Sequence, residues 1–316
     1  APLRVALLGH GTVGGGVRAA LLRSPDLFEV VGVAVRDLSK HEPGPEIWSE
    51  DPLAIAGLDV DVVVETIGGS ELARECILQA LKSGSHVVTA NKHVLAEHGA
   101  ELSSAADAAG VELEASAAAG GSAPVLETAL RSPEVVLLRG VLNATTGDVL
   151  GRVTRGAALQ EALTEARFAG LAEADATRDL DGSDALDKLL LLASALRRAR
   201  GESLQPVEST RGPAVSEEQL AGFDRVDRVR QVGTLRIEQG RSEASVELID
   251  LDAADALLEA RGDENMVEFF DAAGTRVALV AGRGGGRLPT TEAVVADLLQ
   301  LAREGRSATA STRESA

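Results

Sequence analysis

The chain has 316 residues, 45% of them hydrophobic, and a formal net charge of -18. That length and apolar share suffice for a full core, expected as two lobes. The acidic balance, with basic residues dispersed, excludes a nucleic-acid partner, which needs a basic face to neutralise phosphate.

The apolar run Leu189 to Ala193 is far too short to cross a bilayer, so no membrane partner is expected. No basic-then-apolar leader opens the chain. Cys76 is the single cysteine, which rules out an internal disulfide and a cysteine metal cluster and makes a reducing cytoplasm the expected compartment. The five histidines form no ligand pattern; His93 and His98, five apart, do not share a helical face.

Residues 3–22, LRVALLGHGTVGGGVRAALL, pass from an apolar strand through glycines into a helical pattern. VVGVAV at 30–35 and VDVVVETIGG at 60–69 are valine-rich runs of the kind buried on both faces of a sheet. ELARECILQALKSG reads as helix and SHVVTANK as a further strand. This alternation predicts a parallel sheet with helices on both faces.

After about residue 125 the texture changes. Strand-like VVLLRGVLNA (135–144) leads into helical segments to about residue 200, and the polar stretch RGESLQPVESTRGP follows. Then come GTLRIEQ, ASVELID, NMVEFFD and TRVALVA, an alternating set that predicts a mixed or antiparallel sheet. The fold class is therefore α/β: an N-terminal Rossmann-type parallel sheet with a second α+β domain, whose apolar sheet face suits self-association. The end, GRSATASTRESA (305–316), reads as a flexible tail.

Gly9, Gly11 and Gly14 make a G-x-G-x-x-G directly between strand and helix, with Thr12 and Val13 inside it. The glycines allow a tight turn, close approach of a pyrophosphate and tight helix–strand packing. The helix start adds free N–H groups for the phosphates. At the tip of the second strand, Asp37 suits the 2′-hydroxyl of NAD, whereas Arg36 and Lys40 suit the 2′-phosphate of NADP. The two signals oppose one another, with a slight lean to NADP.

Lysine is scarce: only Lys40, Lys82, Lys92 and Lys188 occur. A helix over 183–200, capped by Ser183 or Asp184, puts Lys188 at the centre of an apolar stripe, with Leu192 about 40° and Leu191 about 60° from it. Asp184, one turn earlier, lies on the same stripe. A lysine there is costly to desolvate and needs carboxylates or a wet cleft beside it. Glu173, Asp175, Asp179 and Asp181 supply the acids. A cation held against carboxylates is suited to binding an amino-acid substrate and moving a proton at a carbonyl. Lys92, in TANK, ends an apolar strand, where ligands of such sheets bind.

VALLGHGTVGGGV, VVVETIGG, LKSGSHVVTANKHVLAEHGAEL, EASAAAGGSAP, GVLNATTGDVL, EADATRDLDGSDALDK and GRGGGRLPTTEAVVADL resemble, in order, the motifs of homoserine dehydrogenases, from Val5 to Leu298. The resemblance implies NAD(P)-dependent interconversion of L-homoserine and L-aspartate 4-semialdehyde, on the route to threonine and methionine. It implies Lys188 as the proton-transfer group, Lys92 binding or assisting at the same oxygen, and Asp184 orienting Lys188. Glu173 and Asp179 would hold the substrate ammonium, with Gly121 at the junction and Asn143 and Thr145 as the substrate floor. Thr66, Gly68 and Gly69 would border the nicotinamide ribose.

Gly282, Gly284 and Gly286 would return the chain to the nucleotide lobe. The domains are then 1–125, completed by 282–304, and 126–281. A sodium ion held by main-chain oxygens of Glu114, Ala117, Ala119 and Gly121 and a homodimer built on the second sheet also follow from the resemblance. The chain resembles a short form, without the C-terminal regulatory module that many relatives carry. It departs from the family at Gly121-Ser122-Ala123-Pro124, at Asp175-Ala176-Thr177 and at Ala144, Gly147 and Asp148.

The altered loops leave open a dehydrogenase of another amino-acid alcohol or aldehyde on the same scaffold. A dinucleotide-binding regulator without catalysis is the other alternative; it would not need Lys92, Asp184 and Lys188 together. Aspartate-semialdehyde dehydrogenase is disfavoured, because its thioester chemistry needs a nucleophilic cysteine and Cys76 lies in an apolar helical pattern.

Overall fold

The computed structural model describes residues 1–119, 122–172, 175–202, 206–238, 241–284 and 287–314. The chain divides into two compact units, Ala1–Ala118 with Thr290–Ala316, and Ala119–Pro289.

The first unit contains β1 Leu3–Leu8, α1 Thr12–Leu21, β2 Phe28–Ala34, a 3-10 turn at Leu38–Lys40, β3 Ile47–Ser49, α2 Pro52–Ala56, β4 Val62–Glu65, α3 Glu71–Lys82, β5 His86–Thr89, α4 Lys92–Ala109, β6 Leu113–Glu114 and the start of α5 Ser116–Ala119. Its six strands are all parallel, in the order β3-β2-β1-β4-β5-β6. Strand order reverses between β1 and β4, and crevices at the carboxyl ends of strands beside such a reversal are where α/β sheets bind ligands. The valine-rich reading is explained by burial on both faces: all four residues of β4 are buried. On α3 the buried set Ala73, Cys76, Ile77, Ala80 and Leu81 follows helical spacing, so Cys76 is a core residue of that face.

The second unit contains α6 Val125–Arg131, β7 Val135–Val141, α7 Ala144–Thr154, α8 Leu159–Phe168, α9 Thr177–Leu180, α10 Ser183–Ala199, β8 Glu208–Arg211, α11 Glu217–Ala221, β9 Val229–Glu238, β10 Arg241–Asp250, β11 Glu264–Asp271 and β12 Arg276–Arg283. Its sheet runs β12-β11-β7-β9-β10-β8 and is antiparallel except where β8 joins β10 in parallel. Helix α10 buries Ala185, Leu189, Leu192 and Leu196 in the same core as Leu138, Leu235, Val246 and Phe269 of the sheet. Gly233 of β9 leaves room for α10, since a Cβ there would come within 3.1 Å of Leu189.

Three boundaries differ from the sequence reading. The residue that caps α10 is Gly182, not Ser183 or Asp184; its φ of 79° is a left-handed conformation that suits glycine, and Asp184 is thereby freed to turn inward. The strand read over 135–144 stops at Val141, because the Asn143 side chain accepts from Thr146 N–H and starts α7. The final helix, α12 Arg287–Glu314, continues through most of the stretch read as a tail, which contains no proline to end it. From α12, Val294, Leu298 and Leu301 pack with Val5, Leu7 and Val17 of the first unit.

Candidate active site

In the first unit the glycine loop is shaped by contacts that exclude side chains. Gly9 has φ 102°, and a Cβ on it would meet Thr66 O and Oγ1 at 2.9 Å. A Cβ on Gly14 would lie 2.1 Å from Gly9 O, so the close packing of helix on loop requires glycine there. Gly11 faces open space. It also caps α1 without a side-chain hydrogen bond, leaving the first-turn amides, from Thr12 and Val13 onward, for an external acceptor. This is a cradle fit for pyrophosphate.

At the ribose end Asp37 is already engaged. It accepts from Ser39 N–H at 3.0 Å and Ser39 Oγ–H at 2.6 Å, and Lys40 Nζ lies 3.0 Å away. The bond from Ser39 and the Lys40 ammonium hold its carboxyl below the usual carboxylate range. The residues that argued for opposite cofactors thus form one exposed ion pair, with Arg36 also exposed beside it.

His10, His41 and Trp48, which the sequence reading leaves unassigned, cluster with ring centroids 5.0–5.7 Å apart. Arg18 sits 5.3 Å from the Trp48 ring centroid and pairs with Glu46. Burial and the Arg18 charge push the His10 imidazole below its ordinary value.

Two loops leave the carboxyl ends of β4 and β5. The first carries Thr66, whose Oγ1 donates to Leu8 O at 3.0 Å, and Gly68 and Gly69, with φ of 72° and 75°. The second carries Asn91, whose side chain caps α4 by accepting from His93 and Val94 N–H, so that Lys92 is the first residue of the helix. Buried Glu65, at the end of β4, also escaped the sequence reading; a carboxylate closing an otherwise all-valine strand was the signal.

In the second unit Lys188 is 7% exposed and Asp184 5% exposed, four residues apart on the inward stripe of α10. Lys188 Nζ lies 2.8 Å from Asp184 Oδ2 and donates to Leu142 O at 2.6 Å. Two of its three N–H donors are therefore used among the described residues. Asn143 Nδ2 donates to Asp184 Oδ2 at 2.9 Å and to Asp179 Oδ1 at 2.7 Å, which engages both its hydrogens. Thr145 Oγ1 donates to Leu171 O at 2.7 Å.

The Asp179 carbonyl accepts from Thr146 Oγ1 at 3.0 Å and from Gln231 Nε2 at 3.1 Å, which pins the turn before α10. Gln231, from β9, is far from these residues in sequence and carries no motif that would have found it. A cation and two carboxylates on a fixed frame can hold an amino acid and exchange a proton with its reacting oxygen. Glu173, Gly121 and Gly286 lie outside the described residues.

Cys76 is buried and its thiol is pushed up to about 12, by burial first and then by Glu65, so it is no nucleophile. Among the described residues no group of three or more histidine, cysteine or acidic side chains could hold a metal, and no helix is long and apolar enough to cross a membrane.

Residues 123–299 match the family model described as homoserine dehydrogenase, and residues 9–115 match that of the homoserine dehydrogenase NAD-binding domain. The chain belongs to the homoserine dehydrogenase family. It is accordingly an oxidoreductase with an NAD(P)-binding domain and a small-molecule substrate. Homoserine dehydrogenase of Corynebacterium glutamicum is 35% identical over 95% of this chain and 72% of the relative. A crystal structure of a homoserine dehydrogenase from Thiobacillus denitrificans matches with TM-score 0.84 at 33% identity, covering 97% of this chain and 74% of that one. A hyperthermophilic archaeal homoserine dehydrogenase in complex with NADPH shares the fold, with TM-score 0.79 at 21% identity over 96% of this chain and 98% of that one.

Proposed function

We propose that the chain interconverts L-homoserine and L-aspartate 4-semialdehyde, with Lys188 moving the proton at the reacting oxygen. The observation that carries this is the buried Lys188 Nζ, fixed by Asp184 and Leu142 O. When bound, the dinucleotide supplies or accepts the hydride. Gly9, Gly11, Thr12, Val13 and Gly14 would hold its pyrophosphate, and Thr66, Gly68 and Gly69 would border the ribose of its nicotinamide.

Lys188 donates to the carbonyl oxygen as it becomes an alkoxide, and takes the proton back in the reverse direction. Asp184, 2.8 Å from its Nζ, keeps Lys188 aimed. Lys92, the first residue of α4, binds substrate or assists. Asp179, with Glu173, holds the substrate ammonium. Asn143, whose amide hydrogens both go to carboxylates, orients Asp179 and Asp184 and forms the substrate floor with Thr145.

NADP is the preferred cofactor in this reading. Lys40 neutralises the carboxylate that would repel a 2′-phosphate, Arg36 is exposed to meet it, and the archaeal structural relative carries NADPH. A homodimer on the second sheet is supported by exposed Val277 and Leu279 on β12. Of the residues whose main-chain oxygens would hold a sodium ion, Gly121 lies outside the described residues.

The test is purified protein with homoserine and NAD or NADP, followed at the absorbance of the reduced nicotinamide. Turnover favouring NADP is expected. Binding of either dinucleotide without turnover would leave a regulator in place of an enzyme.

A further inference from the structure

Glu65 is 0% exposed, and nothing in the chemistry above uses it. A carboxylate withdrawn from water is costly unless its charge is met by donors. Here it is met from two sides. Oε1 accepts from the N–H of Ile67 at 2.8 Å and of Gly68 at 3.3 Å, both in the loop after β4. Oε2 accepts from Thr89 Oγ1 at 2.6 Å, at the end of β5.

Thr89 Oγ1 in turn accepts from Asn91 N–H at 3.0 Å, and Asn91 Nδ2 donates to Gly69 O at 2.7 Å. The Asn91 Oδ1 meanwhile caps α4. Glu65, Gly68, Gly69, Asn91 and Thr89 thus close a ring of bonds across two loops that belong to neighbouring parallel strands. Burial holds the Glu65 carboxyl above the usual carboxylate range despite its donors, and an apolar residue in its place would leave the Ile67 and Gly68 amides and the Thr89 hydroxyl without their acceptor.

We infer that Glu65 is a positioning residue: through Thr89 and Asn91 it sets where α4 begins, and with it Lys92, relative to the Gly68–Gly69 loop. This rests on the roles proposed above for Lys92 and that loop. Lys92 follows its cap directly, so any shift of Asn91 displaces the ammonium. A misplacement of about 1 Å in a reacting group costs about 100-fold in rate.

The sign of the pKa shift makes the idea separable from a structural role. A carboxyl raised above its unfolded value adds stability below that value and loses it as pH climbs through the folded value. Burial thus makes ionisation of Glu65 a cost to the fold, and Glu65→Gln removes that cost. Gln at 65 still accepts from Ile67 and Gly68, but presents an amide to Thr89, whose hydroxyl proton loses its acceptor.

The test uses the full chain with Glu65→Gln, Thr89→Val and Lys92→Ala. For Glu65→Gln, kcat should fall about 10- to 100-fold. Homoserine KM, and the dinucleotide Kd measured calorimetrically without substrate, should stay within about threefold. The thermal midpoint at pH 7.5 should hold or rise, and amide exchange should quicken around Gly68 and Asn91. Thr89→Val should lose kcat in the same direction. Parental kcat in Glu65→Gln beside an inactive Lys92→Ala overturns the inference alone, as does a kcat loss that tracks a lowered midpoint in both variants. Parental kcat in Lys92→Ala removes the reading beneath it, whatever Glu65→Gln does.

Discussion

The glycine loop at 9–14 and the ionic cluster around Lys188 both sit at helix starts, yet they are built from opposite materials. The first works by omission: Gly9 and Gly14 are positions where a single added carbon would strike backbone at 2.9 and 2.1 Å, and the ligand groups are main-chain amides. The second works by buried charge, with Lys188, Asp184, Asn143 and Asp179 drawn from two helices and a loop, and steadied by Gln231 from β9. A cradle of backbone is local, and local sequence suffices to write it. A buried ion cluster needs partners that neutralise one another, and those come from wherever the fold brings them.

The largest expected effect lies in the second region. Lys188→Ala should lower kcat about 10³-fold, the middle of the range for one acid–base group, while dinucleotide affinity holds within about twofold. Near-normal turnover in stopped-flow assays would refute its role and with it the division of labour between the two regions. Next comes Gly14→Ala, which crowds Gly9 O at 2.1 Å and should cost about 1–3 kcal/mol of stability together with most dinucleotide binding. Calorimetry showing parental affinity would mean that the loop tolerates a side chain and that the contrast is overdrawn.

A smaller effect is expected at the ribose end. Lys40→Ala should reduce the preference for NADP over NAD about fivefold, as befits an exposed charge; steady-state kcat/KM with each cofactor reads this directly. The smallest concerns Cys76, whose thiol is raised to about 12. The neutral thiol favours the folded state below its ordinary value near 9.0, and that contribution is withdrawn as pH rises through the folded value. Thiol reagents at pH 7–8.5 should leave activity untouched and react only after denaturation. Prompt inactivation in the native state would contradict the burial.

Much of the first unit was legible because its strands are buried on both faces and its cofactor loop is contiguous. Lys188 and Asp184 were legible as a pair, since helical spacing alone puts them on one stripe. The cap of α10 was misplaced by the Ser-Asp pair, which resembles a cap, where the left-handed Gly182 ends the preceding turn instead. Gln231 and the His10–His41–Trp48 cluster were not legible, because each acquires meaning only from partners distant in the chain; Glu65 was marked by its place after three valines, but its partner Thr89 was not.

What this amino-acid sequence determines by itself is periodic and local. The parallel sheet follows from apolar runs, the phosphate cradle from glycine spacing, and the outcast lysine from its place on an apolar stripe. The tertiary structure alone decides which partners meet the buried charges. It aims both hydrogens of Asn143 at carboxylates, holds Lys188 between Asp184 and Leu142 O, and joins Asp37 to Lys40 where the residues read as rivals. The reason is range: periodicity is set within a few residues by backbone geometry, whereas neutralising a buried charge depends on contacts between segments far apart in sequence.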